Sequence, residues 1–283
     1  MRLVSYVSSD GSPSVGILED DAVRETGIGS LFDVVSMPSD DLSALAATAL
    51  SGTLIPLSDV RLEAPLRPRK NVFAVGRNYL EHVRERPGAD AASRPPPEVP
   101  IIFSKPPTSI IGPGEAIDTS NDPSSTTDYE GELAVVIGTG GKRIERERAM
   151  DHVFGYTLLN DVTAREYQRS HGQWLMGKGP DTFCPLGPCV LTADEVPDVT
   201  ALSIETRVND ELRQSGSLSQ LIFDIPTLIS TISSVMTLDP GDVIATGTPS
   251  GVGAFLDPPK FLQPGDVVSV TVEEIGTLTN PVV

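Results

Sequence analysis

The sequence predicts a mixed α/β fold in which strands predominate. Three observations carry this expectation. Seven short apolar runs, from NVFAV (71–75) to VVSVTV (267–272), have the length of strands. Three related turns, GPGEAI (112–117), DPGDVI (239–244) and QPGDVV (263–268), each combine a φ-restricting proline with a glycine that accepts positive φ before a strand begins. Against these, one long segment alone, 224–236, has a clear helical stripe.

Residues 1 to about 65 alternate short strands with turns, as in VSYVSSDGSPSVGIL, and DLSALAATALSG (41–52) reads as a helix. The charged, proline-bearing LRPRKN (66–71) marks a linker. The expected organisation is therefore a small N-terminal domain, 1–66, and a larger domain, 67–283. Strands of the larger domain are expected at NVFAV, PIIF (100–103), LAVVIG (133–138), FGYTLLN (154–160), GPCVL (187–191), DVIATG (242–247) and VVSVTV. Continuous apolar runs imply strands covered on both faces, whereas VVSVTV alternates as a half-covered one does. In DIPTLISTISSVM, Asp224 is the expected N-cap and Pro226 falls in the first turn. Ile225, Leu228, Ile229, Ile232, Val235 and Met236 would form its buried face. A further helix is expected over TAREYQRSHG (163–172), with Thr163 near the cap, which would set a helix N-terminus beside Asp161. Residues 84–99, rich in Pro and Ala, read either as a lid or as a plain surface excursion.

The chain carries 39 acids against 21 bases, a formal charge of −18. A phosphate backbone demands a basic face, so nucleic acid is excluded as a partner. No apolar run reaches bilayer-spanning length, and MRLVSYVSSDG lacks a signal-peptide apolar region. A cytoplasmic protein with no membrane partner is expected. An acidic protein that takes a small anionic substrate needs local cations, which a metal and a few placed Lys and Arg residues would provide. Cys184 and Cys189 have neither C-x-x-C spacing nor a disulfide framework and read as packed thiols. His82, His152 and His171 are too scattered for a zinc site.

Glu130 and Glu132 stand i, i+2 at the entry to one apolar run, and Asp161 ends another. Side chains two apart on a strand share a face, and a sheet would bring Asp161 to them. Clustered acids resist burial unless a cation neutralises them, and oxygen-only ligands favour Mg²⁺, Mn²⁺ or Ca²⁺ over zinc. Solvated strand-end acids are the competing reading of a lone E-x-E. His82 and Glu85, three apart in GRNYLEHVRE, share a helical face on which the acid would orient the imidazole to activate water. A surface ion pair is the plainer reading of H-x-x-E alone.

Taken together, GRNYLEH (76–82), FSKPPTSIIGPG (103–114), DYEGELAVVIG (128–138), NDVTAREYQ (160–168), WLMGKGPDTFCPLGP (174–188), VNDELRQSG (208–216) and GDVIATGTPSGVG (241–253) resemble the fumarylacetoacetate hydrolase family. The resemblance spans nearly all of the larger domain. It implies a β-roll catalytic domain, Mg²⁺ or Mn²⁺ (with Ca²⁺ as a non-native occupant) and a homodimer. By motif, Glu130, Glu132 and Asp161 take the metal positions. His82, Glu85 and Lys178 take the catalytic ones, with a lid over about 81–99. Arg165, Gln168, Lys105 and Thr248 fall at substrate-side positions. Arg165 is alternatively a partner of Glu132 or Asp161, and Lys105 a stabiliser of the acids. Glu166 stands where Asp is more usual. No extra aspartate precedes His82, which sets the chain apart from the tyrosine-pathway enzyme. The implied activity is hydrolysis of a C–C bond in a 2,4-dioxo acid, acylpyruvate or fumarylpyruvate, yielding pyruvate and a carboxylic acid. The same core also suits oxaloacetate decarboxylation, or isomerisation of hydroxymuconate-type diacids.

Overall fold

A computed structural model describes residues 1–8, 11–86, 88 and 93–283. The chain runs β1 (Arg2–Val7), β2 (Pro13–Glu19), β3 (Ala22–Ile28), α1 (Leu31–Val35), α2 (Ser39–Ala49), β4 (Leu54–Pro56), β5 (Arg61–Leu62), β6 (Val72–Gly76), α3 (Leu80–Glu85), β7 (Ile101–Lys105) and β8 (Ile110–Ile111). It continues through β9 (Thr127–Asp128), β10 (Gly131–Ile137), β11 (Val153–Asn160), β12 (Thr163–Ala164), α4 (Arg165–Ser170), α5 (Leu175–Lys178), β13 (Cys184–Thr192), β14 (Ser203–Val208), β15 (Glu211–Ser217), α6 (Ile225–Val235), β16 (Val243–Ala245), β17 (Val267–Val272) and β18 (Gly276–Pro281). Strand outweighs helix, as the sequence predicts. The lid expected over about 81–99 lies partly outside the described residues.

One large sheet has the order β4-β3-β2-β1-β13-β11-β10-β16-β6-β7, and a second has the order β15-β14-β17-β18. The small N-terminal domain joins the first through β1, whose Arg2 and Leu3 pair with Leu191 and Val190 of β13. Every residue of β10 and β13 is buried, which explains the apolar runs Leu133–Ile137 and Cys189–Leu191 within them. In β17 exposed or half-covered positions alternate with buried ones. Leu133, Val135 and Leu158 from the first sheet pack with Ile204, Val270, Val272 and Leu278 from the second.

The helix at 225–235 forms as expected, with the Asp224 carboxylate accepting from Thr227 N at 2.9 Å. Its buried face stops short of the prediction: Val235 and Met236, at the C-terminal end, are 71% and 39% exposed. The 163–172 segment also differs. Thr163 and Ala164 pair with β9, so the helix starts at Arg165 and has no side-chain cap. Thr163 instead donates its hydroxyl proton to Asp161 O at 2.8 Å.

Antiparallel register is what assembles the site. Gly131 lies opposite Asn160 and Glu132 opposite Leu159, so the start of β10 meets the end of β11. Asp161 N donates to Glu130 O at 2.8 Å, extending the pairing to the two acids. Gly131 sits where the second sheet presses in: a Cβ there would lie 2.1 Å from Thr206 Oγ1 and 3.1 Å from a Val270 methyl.

Gly131→Ala is therefore expected to lower the unfolding free energy by about 1–3 kcal/mol, the usual cost of overpacking. The Thr206 hydroxyl is buried without a hydrogen-bond partner, so adding Thr206→Ala should recover part of that loss in a urea titration. Wild-type stability in Gly131→Ala would show that the sheets are free to move apart.

Candidate active site

Glu130, Glu132 and Asp161 are all buried, and each offers a carboxylate oxygen within 4.8 Å of the others. The solvated strand-end reading is thereby removed. The cations that face them are buried too. Lys178 donates to Glu130 Oε2 at 2.7 Å and to Asp161 Oδ2 at 2.6 Å. Arg165 donates to Glu130 Oε1 at 2.6 Å and to Asp128 Oδ2 at 2.8 Å. Arg165 thus pairs with Asp128 and Glu130, rather than with Glu132 or Asp161.

Lys105 is fully buried, 2.7 Å from Asp161 Oδ1, and donates to the carbonyls of Val162 and Lys178. With three acceptors holding it behind the acids, it has no contact with the cavity. Its place is behind Asp161 as a charge-compensating residue, not at the substrate.

Three acids are opposed by two lysines, since the charge of Arg165 is shared with Asp128. The imbalance falls on Glu132. Burial, then repulsion from Asp161 and Glu130, push its carboxyl well above the ordinary range, against the attraction of Lys178 and one backbone bond from Gly247 N at 2.7 Å. Burial opposes ionisation of Glu130 as well, but Lys178 and Arg165 outweigh it and hold that carboxyl well below the ordinary range. Asp161 Oδ1 is buried and faces the Lys105 ammonium at 2.7 Å. An all-oxygen donor set with ligand atoms within 4.8 Å of one another, and surplus negative charge at Glu132, fit a hard divalent ion. The three acids are a metal-binding triad.

His82 and Glu85 lie on α3, with His82 Nδ1 2.6 Å from Glu85 Oε1. The other Glu85 oxygen accepts from Gly251 N at 2.6 Å. The 247–254 loop is itself pinned to the acids, because Gly253 N and Ala254 N donate to Asp128 at 2.8 and 2.9 Å. Imidazole orientation and metal cluster are thus tied to one loop. Thr248 lies in that loop and on the cavity wall, with its hydroxyl proton given to Gly131 O at 2.9 Å.

A cavity of about 440 Å³ brings together His82, Glu130, Glu132, Lys178, Arg165, Gln168 and Thr248. Its apolar wall is Phe103 and Trp174, edge to face at 5.2 Å. Gly76 makes room for this wall, since a Cβ there would lie 2.4 Å from the Trp174 ring. Four residues that matter here escaped the sequence reading. Asp128 precedes Glu130 by two, so its membership of the alternating D-x-E-x-E series was the available signal. Asn160 accepts from Glu130 N at 3.0 Å. Gln214 accepts from Gly131 N at 2.9 Å and donates to Thr248 Oγ1 at 2.6 Å. These two, like Trp174, have no local signature, because each acts across the fold.

Residues 71–283 match the family model for the C-terminal part of fumarylacetoacetate (FAA) hydrolase, and residues 1–65 match one described as Rv2993c-like, N-terminal. The chain belongs to the fumarylacetoacetate hydrolase family. It is 48% identical over 253 residues to the oxaloacetate tautomerase YisK of Bacillus subtilis, covering 89% of this chain and 80% of that protein. The fumarylacetoacetate hydrolase structure from Exiguobacterium antarcticum superposes with a TM-score of 0.86 at 40% identity, covering 100% of this chain and 99% of that one. Maleylpyruvate hydrolase from Sphingobium sp. SYK-6, solved with manganese(II) and pyruvate, superposes with a TM-score of 0.81 at 30% identity and the same coverage.

The position of Glu132 has a measurable consequence. A carboxyl raised on folding contributes stability below its unfolded value, ordinarily about 4.5, and that contribution is lost as pH rises through the folded value. In chelator, the wild-type Tm should therefore fall relative to Glu132→Gln as pH rises above that point. Saturating Mn²⁺ should stabilise the wild type and not the variant. Parallel Tm curves with and without the ion would count against the triad.

Proposed function

We propose that this enzyme interconverts the keto and enol forms of a 2-oxo acid of the oxaloacetate type, using Mg²⁺ or Mn²⁺. The observation that carries the reading is a single cavity onto which Glu130 and Glu132 of the acid triad, Lys178 and the carboxylate-oriented imidazole of His82 all open. Held by Glu130, Glu132 and Asp161, a divalent ion supplies positive charge beside a bound 2-oxo carboxylate and lowers the cost of an enolate. Burial disfavours the charge on Lys178, but Asp161 and Glu130 outweigh it and raise its pKa. It therefore stays an ammonium and donates a hydrogen bond to the oxygen on C2 as charge develops there.

His82 removes the proton from C3, with Glu85 holding the imidazole and stabilising its charged form. The C2=C3 bond forms as the C2=O π bond opens, and the imidazolium returns the proton to O2. The reverse sequence restores the ketone. One base serves both atoms, because C3 and O2 are neighbours on the same carbon. No water is consumed, so the reaction needs less than the hydrolysis first expected from the motifs. Likeness to a tautomerase at 48% identity supports this order of preference. Hydrolysis of a 2,4-dioxo acid is the second reading, supported by the His82–Glu85 pair and by likeness to maleylpyruvate hydrolase.

The test follows the enol absorbance of oxaloacetate alongside pyruvate release from acylpyruvates and maleylpyruvate. Tautomerisation should dominate, should disappear with chelator, and should fall about 10²–10⁴-fold in His82→Ala, the usual worth of a positioned base. Lys178→Met should lower kcat more than it raises KM. Chelator-resistant turnover would refute the mechanism, and faster pyruvate release than tautomerisation would promote the second reading.

A further inference from the structure

The acids of the cavity are confined to one end. At the other, its lining is cationic: Arg77, Arg86 and Arg94 face the space with no carboxylate among the described lining residues there. In a chain of formal charge −18 this is a local reversal of sign. Arg94 is anchored, donating to the carbonyls of Val83 and Arg86 at 3.1 and 3.2 Å. The guanidinium groups of Arg77 and Arg86 have no hydrogen bond or ion pair to the described residues.

Arg77 is the better placed of the two. It follows β6 in the left-handed region, φ 59°, a conformation unusual for a side chain without local capping and concentrated at functional sites. Its guanidinium stands over the Trp174 ring, 6.0 Å from the centroid. Trp174 abuts Phe103, and the Lys178 ammonium stands 5.0 Å from the Phe103 centroid. Two rings therefore form a wall with a cation at each end, one committed to the metal acids and one uncommitted. Burial and the neighbouring charges of Arg86 and Arg94 disfavour the charge on Arg77, a cost that an anion placed between them would relieve.

We propose that Arg77 binds a second, distal carboxylate of the substrate and so selects 2-oxo dicarboxylates over 2-oxo monocarboxylates. This rests on the 2-oxo acid reading of the site. It names the residue that distinguishes oxaloacetate from pyruvate: both carry a 2-oxo carboxylate for the acid end, and only the diacid carries a second anion for the guanidinium.

Trp174 is the chain's only tryptophan, so its fluorescence reports occupancy without turnover. The Mg²⁺-loaded protein is titrated with 3,3-difluoro-oxaloacetate, which has both carboxylates and no proton on C3, and separately with pyruvate. Arg77→Gly relieves the left-handed backbone, and Arg77→Lys keeps the charge. The diacid should bind about 10- to 100-fold more weakly to Arg77→Gly, the worth of a charged hydrogen bond. Pyruvate should change less than about twofold, and Arg77→Lys should regain part of the diacid affinity. Equal losses for both ligands, no loss for either, or a wild type without preference for the diacid would overturn the assignment. A wild type whose diacid preference vanishes in Arg77→Gly, yet which turns over no oxaloacetate, would uphold Arg77 and overturn the tautomerase reading alone.

Discussion

Buried like charge organises this structure. Glu130, Glu132 and Asp161 stand together in the interior because β10 and β11 are antiparallel in a register that leaves them no other place. Leaving such a cluster uncompensated costs far more than any single contact returns. Asp128 and Arg165 fix the orientation of Glu130, Lys105 backs Asp161, and Lys178 bridges the two. Glu132 alone lacks a cationic partner of its own, and the surplus charge of the site collects there.

The loop after β16 connects this cluster to the proton-transfer group. Gly247 binds Glu132, Thr248 binds the backbone between the two glutamates, Gly251 binds Glu85, and Gly253 binds Asp128. Backbone donors do most of this work, which suits a site that requires constant spacing between a metal and a base. Side chains hold the apolar half: Gly76 omits a Cβ, Trp174 takes the space, and Phe103 meets its edge.

Much of this was legible in the sequence where neighbours along the chain are neighbours in space. The E-x-E alternation, the three-residue spacing of His82 and Glu85, and the capped helix at 225–235 are local patterns, and the structure keeps each geometry. The N-terminus of the 163–172 helix was not legible, because Thr163 is taken by β9, thirty-five residues earlier. For Lys105 the sequence left a substrate-side role and support of the acids both open. Its depth behind Asp161 depends on acceptors from Val162 and Lys178, which no local pattern specifies. The second sheet was seen only through β17. Its partners β14, β15 and β18 bury polar side chains, Thr206, Gln214 and Asn280, at inward positions, so their apolar alternation is weak.

The seam between the two family models, at residues 65 and 71, is not a seam in the sheet. β1 hydrogen-bonds to one edge of β13, and β11, which delivers Asp161, hydrogen-bonds to the other. The N-terminal domain therefore acts as a splint on the strand next to the metal site, and recombination at the sequence boundary would strip it away. An exchangeable module in sequence is here a shared girder in structure, so the two parts are bound to vary together.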